Sequence, residues 1–452
     1  MHTLKAHTYI LPLASLMLLL TGCPEPECEG SACTPVMPVS GTAKDMSPTP
    51  DQDITITPDE DMPEDMNPTT IPDASTMPDE DMETLPKGTL INQTILTEEF
   101  GSESGSPTIH VSSRNSIIAT AVRERNSQNA SVVTFDYNGS TWQAETPFID
   151  TLLNNATQLI GHDNLEPPSA LYQSTANQSL YVATLTAGQW EALEIPNAFA
   201  GSTEVKLHAL TRRDDRHVAA ITRPSGTTNE IAILAQTGAT SWAEPTVIQP
   251  FAEGWTIDNV AITLDHENVL HVVYAESIPD SVFTGGKDSR VVYQDANGEK
   301  TVLNEGGAYE FRPRVLALET GRIMVLYRLS DDLRGLPFNS SGYNLTVRYR
   351  EPSSTTWTEP SELRNNMLYY KLLEGSDDTV SLVGTDVSGD IFIRLYRNRS
   401  WSNSQLLATD YLSPPTSDTN DHLDAAFDSQ GLLHMLYRTK EIGLAYLAYQ
   451  PR

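Results

Sequence analysis

The residues best suited to chemistry are arginines, acids and aromatic side chains that cluster in long polar segments between apolar runs. Four such segments lie close together in the sequence: Gln249–Thr256, Ala275–Ser289, Asn304–Arg314 and Arg328–Asn344. The planar guanidinium group of arginine binds carboxylates through paired hydrogen bonds, and long loops on a rigid scaffold often carry function. The sequence therefore predicts a site for a glycan or protein ligand, with candidate residues Trp255, Glu276, Asp280, Tyr309, Arg312, Arg314, Asp331, Asp332 and Arg334.

A second interpretation of these segments stays open. Asp331, Asp332 and Arg334 also fit a solvated loop, and Arg312 and Arg314 also fit ion pairs between neighbouring units. The chain has no Gly-rich phosphate loop followed by a helix, no Gly-x-Ser-x-Gly elbow and no His-Glu-x-x-His pair. We therefore expect no cofactor. His271 and His434 occupy the same place in two similar phrases, VLHVVY and LLHMLY, which favours a packing role.

The elements that must position these side chains are short β-strands in a repeated unit. Each unit has two apolar runs joined by a polar turn, as in Val260–Leu264 and Val269–Tyr274, followed by a third run such as Val291–Gln294. The last residues of the second runs lie 49 to 57 residues apart, at Ala121, Tyr172, Ile221, Tyr274, Tyr327, Gly384 and Tyr437. A β-only repeat of this length is typical of propeller blades. The sequence predicts an all-β, seven-bladed β-propeller over residues 88–452.

A tryptophan follows the third run in most of the repeats. Five of the six tryptophans obey this rule, namely Trp142, Trp190, Trp242, Trp357 and Trp401, and only Trp255 breaks it. The seventh repeat ends without a fourth run, whereas Thr89–Thr97 (TLINQTILT) precedes the first repeat. We expect this N-terminal run to supply the outer strand of the last blade, because closing the ring leaves only short, protected edges.

The turn FDYNGSTW, Phe135 to Trp142, resembles the Asp-box (BNR repeat) of sialidase-like propellers. There an Asp and a Gly shape a hairpin that a Trp plugs. The resemblance implies structural roles for Asp136, Gly139 and the five repeated tryptophans. It also raises a sialidase-like glycoside hydrolase as an alternative to a non-catalytic binding module. The arginine phrase closest to that family, Phe311-Arg312-Pro313-Arg314, stands in the fifth repeat, so we favour the binding module and expect no catalytic residues.

The first 23 residues are typical of a lipoprotein signal peptide. The apolar run Ile10–Leu20 is too short to span a membrane, and the ending Leu20-Thr21-Gly22-Cys23 resembles the bacterial lipobox. The sequence thus predicts lipidation at Cys23, with the membrane as a partner through that anchor. Pro24 follows the cysteine, which favours the outer membrane of a bacterial cell envelope. Cys28 and Cys33 are candidates for a small disulfide.

Residues 24–87 have the composition of a disordered tether. This segment carries 16 Asp and Glu against two Lys, with many prolines and repeated Asp-Met-Pro phrases. The whole chain has a formal net charge of −31. Such acidity argues against a nucleic-acid partner, which requires a basic surface. The sequence gives no sign of an oligomerisation element, so we expect a monomer.

Overall fold

The computed structural model describes only part of the chain. The described residues are 89–97, 107–111, 117–126, 129–137, 141–143, 146–147, 160–161, 169–174, 179–186, 189–196, 205–213, 216–278, 289–305, 311–329, 343–352, 354–375, 378–409, 423–439 and 444–451. All their regular elements are β-strands. The predicted signal peptide, tether, Cys23, Cys28 and Cys33 lie outside these residues.

The strands begin with β1 (Thr89–Thr97) and then form a succession of antiparallel meanders. The first sheet contains β2 (Thr108–Val111), β3 (Ile117–Asn126), β4 (Asn129–Tyr137) and β5 (Thr146–Pro147). The second contains β6 (Ile160–Gly161), β7 (Ser169–Gln173), β8 (Leu180–Thr186) and β9 (Gln189–Ile195). The third contains β10 (Lys206–Arg213), β11 (Arg216–Ser225), β12 (Thr228–Gly238), β13 (Ser241–Trp242) and β14 (Thr246–Ile248).

The fourth sheet contains β15 (Thr256–Leu264), β16 (Leu270–Ser277), β17 (Ser289–Gln294) and β18 (Lys300–Glu305). The fifth is longer, with β19 (Phe311–Ala317), β20 (Ile323–Leu329), β21 (Tyr343–Arg350), β22 (Ser361–Glu374), β23 (Val380–Asp386), β24 (Ile391–Arg397), β25 (Ser400–Trp401) and β26 (Gln405–Ala408). Its strand β22 pairs with β21 through its first half and with β23 through its second half. This sheet therefore consists of two meanders that share β22.

The last sheet joins the two ends of the described chain. It contains β27 (Leu423–Phe427), β28 (Leu433–Arg438) and β29 (Leu444–Gln450), and β1 is its fourth strand. Strand β1 is antiparallel to β29 from Thr89 opposite Gln450 to Thr97 opposite Leu444.

The second strand of each meander lies between neighbouring sheets, so both of its faces are buried. Every residue of β23 and β28 is buried, and β20 is buried except at its last residue. This explains the nearly continuous apolar runs in the sequence, because alternation requires one solvent-facing side. The first and last sheets also pack on each other: Ile109 and Phe135 share one apolar cluster with Leu436 and Tyr446.

Four tight turns among the described residues share one arrangement, in which a carboxylate accepts two backbone N–H bonds, at Asp265, Asp295, Asp386 and Asp428. The Asp265 carboxylate accepts backbone N–H bonds from Glu267 and Val269, and Asp428 does the same for Gln430 and Leu432. The turn residue Gly431 has φ of 75°, a conformation that glycine adopts without a Cβ penalty. In the first turn Asn268 takes this position with φ of 63°.

Candidate functional site

The first strand of each of four successive meanders contains a β-bulge. The extra residues are His208 in β10, Asp258 in β15, Arg312 with Pro313 in β19, and Leu368 in β22. A bulge bends its strand, re-aims a side chain, and is frequent beside functional sites. Arg312 has φ of 54°, a strained value for a residue other than glycine. At these four bulges the side chains no longer alternate regularly between the two faces of the strand.

Side chains from adjacent meanders hold three of these bulges in place. Asn229 forms two hydrogen bonds with the backbone of Ile257, of 2.7 and 2.8 Å, directly before Asp258. The Tyr370 hydroxyl donates to the carbonyl of Arg312 at 2.6 Å, and Arg328 donates to the carbonyl of Leu368. Such contacts fix the backbone that presents the site, which is the usual basis of preorganisation.

Two arginines lie together at the Arg312 bulge. Arg312 and Arg328 are 8% and 6% exposed, and their guanidinium carbons lie 4.3 and 4.4 Å from the ring centroids of Tyr369 and Tyr343. Burial, and then the charge of Arg312, lower the pKa of Arg328 to about 10, so the side chain stays protonated at pH 7. No acidic side chain among the described residues forms an ion pair with Arg328, and its Nε has no hydrogen-bond partner.

A buried positive charge without a counter-ion is costly, and a bound anion removes most of that cost. The arrangement can therefore bind a carboxylate. We call Arg312, Arg328, Tyr343 and Tyr369 the arginine pair and its tyrosines.

A second cluster contains the predicted residues Trp255 and Glu276. Arg290 joins them: its guanidinium carbon lies 3.8 Å from the Trp255 ring centroid and its Nε lies 3.1 Å from Oε1 of Glu276. That pair is close without forming an aligned hydrogen bond, since both atoms lack a hydrogen-bond partner. Glu276 is fully buried, and its Oε2 accepts a 2.7 Å bond from the backbone N–H of Phe251. Burial raises the pKa of Glu276, whereas this bond and Arg290 lower it.

Two titratable bulge residues lie on neighbouring innermost strands. His208 lies 2.9 Å from the Thr222 hydroxyl through its Nε2, and Asp258 accepts a 2.6 Å hydrogen bond from Ser277. Burial, and then the nearby charge of Lys206, lower the pKa of His208, so its imidazole is neutral at pH 7. Burial raises the pKa of Asp258. A neutral base beside a carboxyl with a raised pKa could transfer protons.

The predicted ligand-binding residues thus divide into four groups. Trp255 and Glu276 meet in one cluster, and Arg312 lies in the arginine pair. Arg314 is only partly buried and donates to the neighbouring carbonyl of Pro313. The remaining candidates, Asp280, Tyr309, Asp331, Asp332 and Arg334, lie outside the described residues. Within the described residues no group of three His, Asp or Glu side chains is arranged to hold a metal ion.

The sequence interpretation missed Arg290, Arg328, His208 and Asp258. His208 and Asp258 lie at β-bulges, and a single sequence contains no clear signal for a bulge. Arg328 also has no distinguishing signal, because Leu-Tyr-Arg occurs near the end of β20, β24 and β28. Arg328 and Arg438 are buried, whereas Arg397 of β24 is exposed.

The repeated tryptophans pack between meanders. Trp357 and Trp401 contact Tyr293 and Tyr349, each on the meander before its own. Trp142 in the first sheet contacts Tyr446 in the last sheet. Trp190 and Trp242 are half-buried, and Asp136 is exposed with its carbonyl bound to the N–H of Gln143 at 2.7 Å. Gly139 lies outside the described residues. These contacts agree with structural roles for the tryptophans.

His271 and His434 each connect a turn to a tyrosine. His434 Nδ1 lies 2.7 Å from the Tyr446 hydroxyl, and its Nε2 lies 3.2 Å from Asp428. His271 repeats this geometry, with 2.7 Å to the Tyr293 hydroxyl and 3.3 Å to Asp265. The predicted packing role therefore includes a buried polar network.

Among the described residues no helix is long and apolar enough to cross a membrane. No protein-family model matches the sequence, and a search of curated proteins finds no match.

Solved structures with a similar arrangement include carbohydrate-active proteins. Polysaccharide lyase Uly1 is 9% identical, covers 80% of this chain and 99% of its own, and has a TM-score of 0.49. An alpha-L-arabinanase from Penicillium chrysogenum, complexed with arabinobiose, is 11% identical, with 66% and 94% coverage and a TM-score of 0.43. The Hadza microbial sialidase Hz136 is 15% identical, with 76% and 65% coverage and a TM-score of 0.39. At these identities and scores the likeness assigns no function to this chain.

Proposed function

We propose that this protein is a non-catalytic binding module for an acidic glycan, recognised through the carboxylates of its sugar residues. The observation that carries the proposal is the Arg312–Arg328 pair, in which Arg328 is buried, charged and without an acidic partner among the residues that the structure describes. The planar fork of arginine suits a carboxylate, and the adjacent faces of Tyr343 and Tyr369 suit a ring. In a strongly acidic chain, a local positive pair is needed to hold an anion.

The experiment that tests this function is calorimetric titration of the full-length protein with galacturonic acid, sialyllactose, an uncharged maltohexaose and a glutamate-rich peptide. Binding of an acidic sugar, weakened at least tenfold in Arg328→Gln, supports the proposal. The matched control is Arg397→Glu, because Arg397 is exposed on the surface of β24. Binding of the peptide alone, or equal losses in both variants, would refute it.

We also propose that the meanders are the blades of a seven-bladed β-propeller that β1 closes. The support is the count of meanders, seven when β22 is shared by two, and the β1–β29 pairing. The apolar cluster between the first and last sheets adds to it. A ring of this kind would bring the bulges of consecutive innermost strands around one channel mouth.

We propose that the protein is attached to the bacterial outer membrane through a lipid on Cys23. Its support is the sequence Leu20-Thr21-Gly22-Cys23 after a short apolar run. Replacing Cys23 with Ser should leave unprocessed or soluble protein. Palmitate-labelled, membrane-bound protein from that variant would contradict the proposal.

A sialidase-like hydrolase is the second candidate, and one observation favours it. His208 and Asp258 lie on adjacent innermost strands. Burial lowers the pKa of His208 and raises the pKa of Asp258, which favours the uncharged form of both side chains. Against it, Tyr274 and Glu276, a tyrosine and a carboxylate two residues apart, are both fully buried and closed to substrate. Turnover of a fluorogenic sialoside that is lost in Asp258→Asn would favour the enzyme.

A further inference from the structure

A second arginine–aromatic cluster lies on the meander next to the arginine pair. Here the guanidinium carbon of Arg290 lies between two rings, 3.8 Å from the Trp255 centroid and 5.3 Å from the Phe251 centroid. Phe251 is 46% exposed, whereas the Arg290 side chain is only 17% exposed. The outer member of this stack is therefore an aromatic face that is open to solvent. We call Phe251, Trp255 and Arg290 the aromatic stack.

Two hydrogen bonds fix the backbone of the segment that carries Phe251. The N–H of Phe251 donates to the fully buried carboxylate of Glu276, which also faces Arg290. The ammonium group of Lys300 donates to the carbonyl of Gln249 at 2.6 Å, which fixes the start of the same loop. An exposed aromatic side chain on a fixed backbone loses little conformational freedom when a ligand binds, so it contributes more of its contact energy to affinity.

The aromatic stack and the arginine pair lie at the same end of their two sheets. Arg350, at the end of β21, donates to the hydroxyl of Tyr293 near the end of β17, at 2.7 Å. The two third strands are therefore aligned in the same direction. Their opposite ends contain Arg290, the second residue of β17, and Tyr343, the first residue of β21. Hence one edge of the two sheets presents both clusters side by side.

Four large apolar side chains are exposed among the described residues: Val247, Phe251, Ile278 and Leu406. Phe251 is the one of them that belongs to the stack.

We propose that the ligand is an oligomer of acidic sugars that occupies two subsites, one at the arginine pair and one at the aromatic stack. This inference rests on the proposed function. The arginine pair takes the carboxylate of one residue. Phe251, and the edge of Trp255 beside it, take the less polar ring face of a residue further along the chain. The specificity is thus for chain length as well as for charge.

The test is titration of the full-length protein with galacturonic acid and with its hexamer, using Phe251→Ala and Leu406→Ala as matched variants. Both replaced side chains are exposed, so both variants should fold. We expect the hexamer to bind at least tenfold more tightly than the monomer. Phe251→Ala should remove about tenfold of the hexamer affinity and leave monomer affinity unchanged, as for a stacking residue in a contact centre.

Each outcome separates the two proposals. Equal affinity for monomer and hexamer, or equal effects of Phe251→Ala and Leu406→Ala, overturns the second subsite and leaves the acidic-sugar site standing. Failure of both acidic probes to bind overturns the proposed function and the second subsite with it. Trp255→Ala serves as a further variant, with a loss for the hexamer that at least equals that of Phe251→Ala.

Discussion

The ring of Trp142, in the first sheet, lies edge-on to that of Tyr446, in the last sheet, with 4.9 Å between their centroids and 75° between their planes. This is a favourable aromatic geometry. The hydroxyl oxygen of Tyr446 lies 2.7 Å from Nδ1 of His434, within hydrogen-bonding distance. The side chains of Trp142, Tyr446, His434 and Asp428 are thus in contact one after another, and they connect the first sheet with the last.

Deleting Thr89–Thr97 should strongly lower the melting temperature, because β29 would lose its β1 partner and expose an unpaired edge. Deleting Asp45–Asp81, from the predicted tether, is the control and should change the melting temperature by only a few degrees. Thermal unfolding followed by circular dichroism measures both. Similar effects of the two deletions would contradict the closure by β1.

Acid should destabilise the fold through His271 and His434. Burial lowers the pKa of both below the ordinary value of 6.5, so the unfolded chain binds more protons than the fold in that range. Stability is then fully present above about pH 6.5 and falls as the pH drops below that value. Urea titrations at pH 7.5, 6 and 5 measure the slope.

The variant His434→Gln separates this effect from general acid denaturation. It should lose about 1–3 kcal/mol at pH 7.5, since it disrupts the buried bonds to Tyr446 and Asp428. Between pH 7.5 and 5 its stability should fall less steeply than that of the wild type. A slope equal to that of the wild type would show that His434 does not take up the proton.

Replacing Arg328 with Met should cost little stability while it abolishes binding of the acidic glycan. The substitution removes a hydrogen bond to the carbonyl of Leu368, which contributes about 1 kcal/mol. It also removes a buried charge that has no acidic partner within the described part of the chain. We expect a change in unfolding free energy of about 1 kcal/mol or less. Urea unfolding and the galacturonate titration test the two halves of this prediction, and a loss above about 3 kcal/mol would indicate a mainly structural role.

Arg438 is unsuitable as a surface control for such experiments. Arg438 lies at the end of β28, and its side chain is 1% exposed. Arg438→Glu should therefore reduce soluble expression, because it places an opposite charge in a buried position. Arg397→Glu should leave both expression and melting temperature close to those of the wild type.

The sequence by itself determined the all-β class and the repeated antiparallel unit. These features depend on local patterns, because an apolar run of strand length and a tryptophan after a turn recur at a fixed spacing. Tertiary structure decided which polar residues meet. Arg290, which follows Glu276 in the sequence, contacts both Trp255 and Glu276. Asp258 lies at a bulge whose backbone forms a hydrogen bond with Asn229 of another sheet. Side-chain direction at a bulge, and burial at a sheet junction, arise from contacts between distant segments, so no local pattern encodes them.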